Sequence, residues 1–181
     1  MTDGWYALPA FRHLRLVAVG QLTAAEGINY AAPEMMALSN LLAHPTVDET
    51  RRITDPIEGR RLLRSAKDLG RVLALARLAE RAEIESWPAT WQRALRAKYP
   101  ADEVAGLGAR AGDGIRALLS HRNAFADAHF AVDVGLLRGH AVSIDQLRAI
   151  AEQLLVDALE PLAELTADQS RESITTPNIK R

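Results

Sequence analysis

Arg122 and His129 stand seven residues apart, a spacing that brings both onto one face of a helix. If that helix runs unbroken from Asp113 through Phe130, the same face carries Ile115 and Leu118. A guanidinium and an imidazole set among apolar side chains must find partners or line an interface or cleft, because a buried unpaired charge is costly. The spacing therefore admits a structural Arg in a salt bridge beside an incidental His, or a paired site at a dimer interface. In both cases the side chains should point at protein, and in the first Arg122 is bonded within its own chain. A second group is basic. Arg60, Arg64, Lys67 and Arg71 fall on one side of an expected helix, with Asp68 and Glu58 nearby. They could contact the phosphates of a nucleotide, or form a solvated face neutralised by those acids.

Other chemistries lack their residues. His13, His44, His121, His129 and His140 form no four-residue helical pair, and no acid sits beside them in a zincin arrangement, so no metal site is expected. There is no cysteine, which removes disulfides, thiolate ligands and sulfur redox chemistry. Neither a Gly-x-Ser-x-Gly elbow nor a phosphate loop ending in Gly-Lys-Ser/Thr occurs. The glycines at 106, 108, 112 and 114 have the wrong spacing for a dinucleotide loop and read as helix ends and close packing points. No cofactor is implied.

The elements that must hold these residues read as mostly helical. Leu14–Val19 and Gly27–Tyr30 suggest two short strands around a turn, a pair within about 11–31. Pro33-Glu34 opens a helix in which Met35, Leu38, Leu41 and Leu42 recur. Asp55-Pro56-Ile57-Glu58 looks like a cap, a first-turn Pro and an acid, predicting a helix to about Glu80 with Leu62, Ala66, Leu69, Leu73 and Ala76 on its apolar face. Beyond Val72 that helix is apolar nearly all round, with Leu75 and Leu78 on the formerly basic side. Ser86-Trp87-Pro88 restarts a helix carrying Trp91 and Leu95. Ser143-Ile144-Asp145-Gln146 is a capping box ahead of Leu147, Ile150, Leu154, Ala158 and Leu162, with a kink expected near Pro161.

Composition agrees with this reading. A chain of 181 residues fits one domain. With 48% apolar and only 5% aromatic residues, the core must be filled by Leu, Ala and Val, which favours helix. A formal net charge of −1 lacks the basic excess usual in proteins that bind duplex nucleic acid. No apolar run approaches a membrane span, and Met1–Trp5 lacks a basic start and apolar stretch, so the cytoplasm is expected.

Two stretches resemble known families. Gly27-Ile28-Asn29-Tyr30-Ala31-Ala32-Pro33-Glu34, then Ala37-Leu38-Ser39-Asn40-Leu41-Leu42-Ala43-His44, an Arg at 51 or 52 and Lys67-Asp68-Leu69 follow the order of these pieces in the C-terminal part of minimal nucleotidyltransferase-like proteins. That family includes members of abortive-infection and toxin–antitoxin systems, and the similarity spans Leu8 to about Leu119. It implies a strand leading into a Pro-started helix, with the Lys-Asp-Leu segment beside a nucleotide site. The family's Gly-Ser pair and Asp-x-Asp metal anchor are absent from this sequence. The resemblance thus implies the helical part without the catalytic core. Residues 113–165 resemble HEPN ribonucleases through Arg122, six residues, then His129 and a capped long helix. That similarity implies a helical dimer cleaving RNA without metal, with His129 moving the proton and Arg122 holding phosphate charge.

The expected fold is mainly α, with about five to six helices and a small N-terminal strand pair over residues 1–165, and a polar, disordered tail from 166 to 181. The expected role is a binding or accessory component, nucleotidyltransferase-like and without its own catalytic motif, of a toxin–antitoxin or phage-defence system. The alternative is a HEPN-type endoribonuclease. Expected partners are a second copy or another protein, with RNA possible and no membrane.

Overall fold

The computed structural model describes residues 13–46 and 54–175. The fold is mainly helical with a small N-terminal antiparallel strand pair. The chain runs α1 (Leu14–Val17), β1 (Leu22–Thr23), β2 (Asn29–Tyr30), α2 (Pro33–Leu42), β3 (Thr54–Ile57), β4 (Arg60–Leu63), α3 (Arg64–Leu78), α4 (Arg81–Lys98), α5 (Ala101–Arg110), α6 (Asp113–Ser120), α7 (Arg122–Asp133), α8 (Ile144–Leu154), a π turn (Leu155–Leu159) and α9 (Glu160–Thr175). None of the described helices is long and apolar enough to cross a membrane.

One core cluster extends from Leu16 to Leu162, with α3 at its centre. Leu69, Val72, Leu73 and Ala74 are at most 1% exposed because α2 and α7 cover α3 on two sides. Gly70 permits the approach of α7: a Cβ there would lie 2.7 Å from the Ala128 carbonyl oxygen. The Trp91 indole in α4 donates to the Glu34 carbonyl at 2.8 Å, satisfying its polar edge inside the core. Ser143 caps α8 by accepting from the Gln146 N–H at 3.2 Å, while the Gln146 side chain accepts from the Ser143 N–H at 2.9 Å. That capping box is as the sequence predicts.

Several boundaries differ from the sequence reading. Leu14–Val17 is a helical turn rather than a strand; it buries Leu16 completely, and Gly20, at φ +61°, turns the chain toward β1. The strand pair is formed by Leu22–Thr23 and Asn29–Tyr30 instead. Thr54–Leu63 is a β-hairpin, not the start of a helix. Glu58 and Gly59 have φ of +44° and +79°, the left-handed pair that a two-residue turn requires between antiparallel strands. Thus Asp55-Pro56 leads a strand, and α3 begins only at Arg64.

The next helix starts at Arg81, with the Glu83 carboxylate accepting from the Glu80 N–H at 2.9 Å, and Pro88 lies inside it. The segment from Asp113 is two helices, broken at the extended His121. Two of the carbonyls freed by the break are taken up by side chains: His121 Nδ1 meets the Ala117 carbonyl at 2.8 Å, and Arg148 donates to that of Leu119 at 3.3 Å. At the C-terminal end the helix does not stop at Thr166. It continues to Thr175, and Thr166 is buried against Gly108 of α5. The expected tail therefore has its first ten residues in a helix, and 176–181 lie outside the described residues. Arg51 and Arg52 also lie outside them. The π turn precedes Pro161, whose ring and missing N–H disturb the ladder at the carbonyl four residues back.

Candidate functional site

The basic group forms on α3. Because Ala66, Leu69, Gly70 and Leu73 face inward, Arg64, Lys67, Asp68 and Arg71 are turned to the outer side of the helix. Asp68 stands between two guanidiniums, 3.6 Å from that of Arg64 and 3.8 Å from that of Arg71. The row itself carries three cations and one carboxylate. Arg60 is not part of it. It belongs to β4, where its guanidinium donates to Asp127 of α7 at 2.6 Å and lies 5.2 Å from the Phe130 ring centroid. The sequence places all four basic residues on one helix; the hairpin turn at Glu58-Gly59 removes Arg60 from that helix and sends it across to α7.

Lys67 and Arg71 border a cleft of about 340 Å³ between α3 and the end of α7. Ala74, Val132, Val134 and Leu136 line it, with Ile57 closing one side from the hairpin. Two ion pairs hold the hairpin in that position, Arg60 with Asp127 and Glu58 with Arg138, the latter at 3.9 Å. The described lining has two cationic side chains and otherwise only apolar ones and glycine; it includes no carboxylate, imidazole or hydroxyl. Such a site suits an anionic group carried on an apolar body.

Arg122 and His129 are not brought together at a cleft. The break at His121 makes Arg122 the first residue of α7 and detaches both residues from the helix of Ile115 and Leu118. Arg122 is exposed and makes no ion pair or hydrogen bond among the described residues, against the expectation that it points at protein. His129 is half-buried, and its Nε2 lies 2.6 Å from the Val142 carbonyl. A carbonyl only accepts, so Nε2 carries the proton and the ring ties α7 to the segment leading into α8. Two helical turns separate the residues, about 10 Å along the axis at 1.5 Å per residue. Asp127 between them is committed to Arg60.

The remaining histidines are scattered. His13 is buried and shares a hydrogen bond of 2.5 Å with the Tyr99 hydroxyl, while Arg15 lies 3.7 Å over the Tyr99 ring. This cluster has no sequence signal, since the residues are too far apart in the chain to share a motif. Among the described residues, no group of three or more His, Asp or Glu is arranged to hold a metal ion. No protein-family model, curated protein or solved structure matches the chain.

Proposed function

We propose that this protein is a binding or accessory component without its own catalytic motif, which takes a phosphate-bearing ligand at the cleft between α3 and α7. The observation that carries this reading is the pairing of Lys67 and Arg71 over an otherwise apolar lining. Phosphate recognition needs fixed cationic donors, and these two stand one helical turn apart on a rigid central helix. The resemblance of the Lys67-Asp68-Leu69 segment to nucleotidyltransferase-like proteins gives the same assignment, a nucleotide or RNA phosphate beside α3. It also carries the wider proposal of a role in a toxin–antitoxin or defence system. The absence from the sequence of the Gly-Ser and Asp-x-Asp motifs supports binding without transfer, because two-metal phosphoryl chemistry has no anchor of that type here.

The test is calorimetric titration of the purified protein with AMP and ATP, alongside incubation with labelled ATP, CTP, GTP and UTP in Mg²⁺ or Mn²⁺. The expected result is saturable nucleotide binding, weakened about tenfold or more by Lys67→Gln with Arg71→Gln, and no label transferred to protein or RNA. Transfer of label by a clean preparation, or nucleotide binding indifferent to both substitutions, overturns the reading.

A further inference from the structure

A second concave surface lies away from the α3–α7 cleft. It is a groove of about 500 Å³ between the β1–β2 hairpin, the first turn of α2, the end of α3 and the first half of α4. Leu22, Leu75 and Leu78 supply its apolar surface above the buried Trp87, and Glu34 and Glu83 stand among them. Leu78 is 55% exposed and Leu22 42%. Tyr30, 49% exposed, is directly opposite Leu22 in the hairpin register and so shares its face, extending the apolar surface beyond the groove. Exposed large apolar side chains clustered around a concavity mark an interaction site more often than a monomer surface.

The charges select the occupant. Both ionisable side chains in the described lining are carboxylates, with no Lys or Arg among them. A symmetric dimer through this face would bring four carboxylates, Glu34 and Glu83 from each copy, into one interface with no cation from the described lining to offset them, and like charges gathered there are costly. A helix with a Leu-type stripe flanked by Lys or Arg satisfies both the apolar floor and the acids. We propose that this groove docks a basic amphipathic helix of a separate partner protein, with its apolar stripe on Leu22, Leu75 and Leu78 and its cations paired with Glu34 and Glu83.

The probe is a fluorescently labelled leucine/lysine amphipathic peptide about four turns long. It is titrated with the full chain by anisotropy, with a leucine/glutamate peptide of the same pattern as control. The expected result is saturable binding of the lysine peptide only. Leu78→Asn should weaken it about tenfold or more, as removal of an interface anchor does. Glu34→Gln with Glu83→Gln should weaken it and abolish its dependence on salt; Gln at 83 can still accept from the Glu80 N–H. Circular-dichroism melting confirms that each variant is folded. The proposal is overturned if no saturable binding occurs, if the glutamate peptide binds equally, or if Leu78→Asn binds like the parent. A concentration-dependent self-association abolished by Leu78→Asn also overturns it, in favour of a second copy.

Discussion

The Arg60 guanidinium donates to the Asp127 carboxylate at 2.6 Å, joining β4 to α7 across sixty-seven residues of sequence. The same guanidinium lies over Phe130, so one side chain fastens the hairpin to the helix that forms the far wall of the cleft. Its side chain is half exposed, which limits what the pair contributes to global stability. Arg60→Ala should therefore cost less than about 1 kcal/mol of unfolding free energy. Its effect is local: amide hydrogen exchange should speed up across residues 54–63 while α3 stays protected. Unchanged exchange in the hairpin would show that the pair does not hold it.

Gly70 and Gly106 should respond to alanine in opposite directions. A Cβ at 70 would lie 2.7 Å from the backbone oxygen of Ala128, so Gly70→Ala must push α3 and α7 apart, at about 1–3 kcal/mol. A Cβ at 106 meets nothing within 4 Å, and this residue lies inside α5, so Gly106→Ala should stabilise by about 0.5–1 kcal/mol. Chemical denaturation of the two variants checks both signs.

Leu73→Asp should unfold the protein or lower its melting temperature drastically, because Leu73 is fully buried at the centre of the core and a carboxylate there has no partner. Arg64→Ala, one face away on the same helix, removes a 3.6 Å surface pair and should change stability by less than about 0.5 kcal/mol. Similar melting temperatures for the two would contradict the assigned faces of α3.

His129→Ala should cost about 1 kcal/mol by leaving the Val142 carbonyl without its donor, whereas Arg122→Ala should be neutral within about 0.5 kcal/mol. With Nε2 engaged and Arg122 in solvent, no cleavage of structured RNA in EDTA is expected from the parent protein. Cleavage that His129→Ala abolishes while the variant stays folded would restore the ribonuclease reading.

Features written within a few adjacent residues were legible in the sequence. The Ser143 box works through two hydrogen bonds spanning three residues, and the α2 stripe of Met35, Leu38, Leu41 and Leu42 is buried as its spacing predicts. The row of Arg64, Lys67 and Arg71 was legible for the same reason. The hairpin was not, because Asp55-Pro56 and Glu58-Gly59 serve a strand and turn as well as they serve a helix start; pairing with Arg60–Leu63 decides the matter. The break at His121 has no glycine or proline to announce it, and Arg148, on a later helix, helps make it tolerable. The second wall of the cleft lies about sixty residues beyond the first, a separation that helical periodicity does not bridge.

The π turn at Leu155–Leu159 has a consequence for how this C-terminal arm tolerates change in length. Leu154, Ala158, Leu162 and Thr166 are all buried at successive steps of four. In a regular helix each such step overshoots a 3.6-residue turn by about 40°, so the last of them would swing out of register with the first. The wider turn takes up part of that drift and delivers Thr166 to Gly108. It is, in effect, a one-residue insertion absorbed by the backbone. Deleting one residue between 155 and 159 would let this turn close as regular α-helix and leave the helix beyond it on the same face, whereas a deletion in a regular stretch of the arm rotates everything beyond it by about 100°. A gene encoding this protein should therefore accept a single-codon deletion within that turn more readily than one elsewhere in the arm.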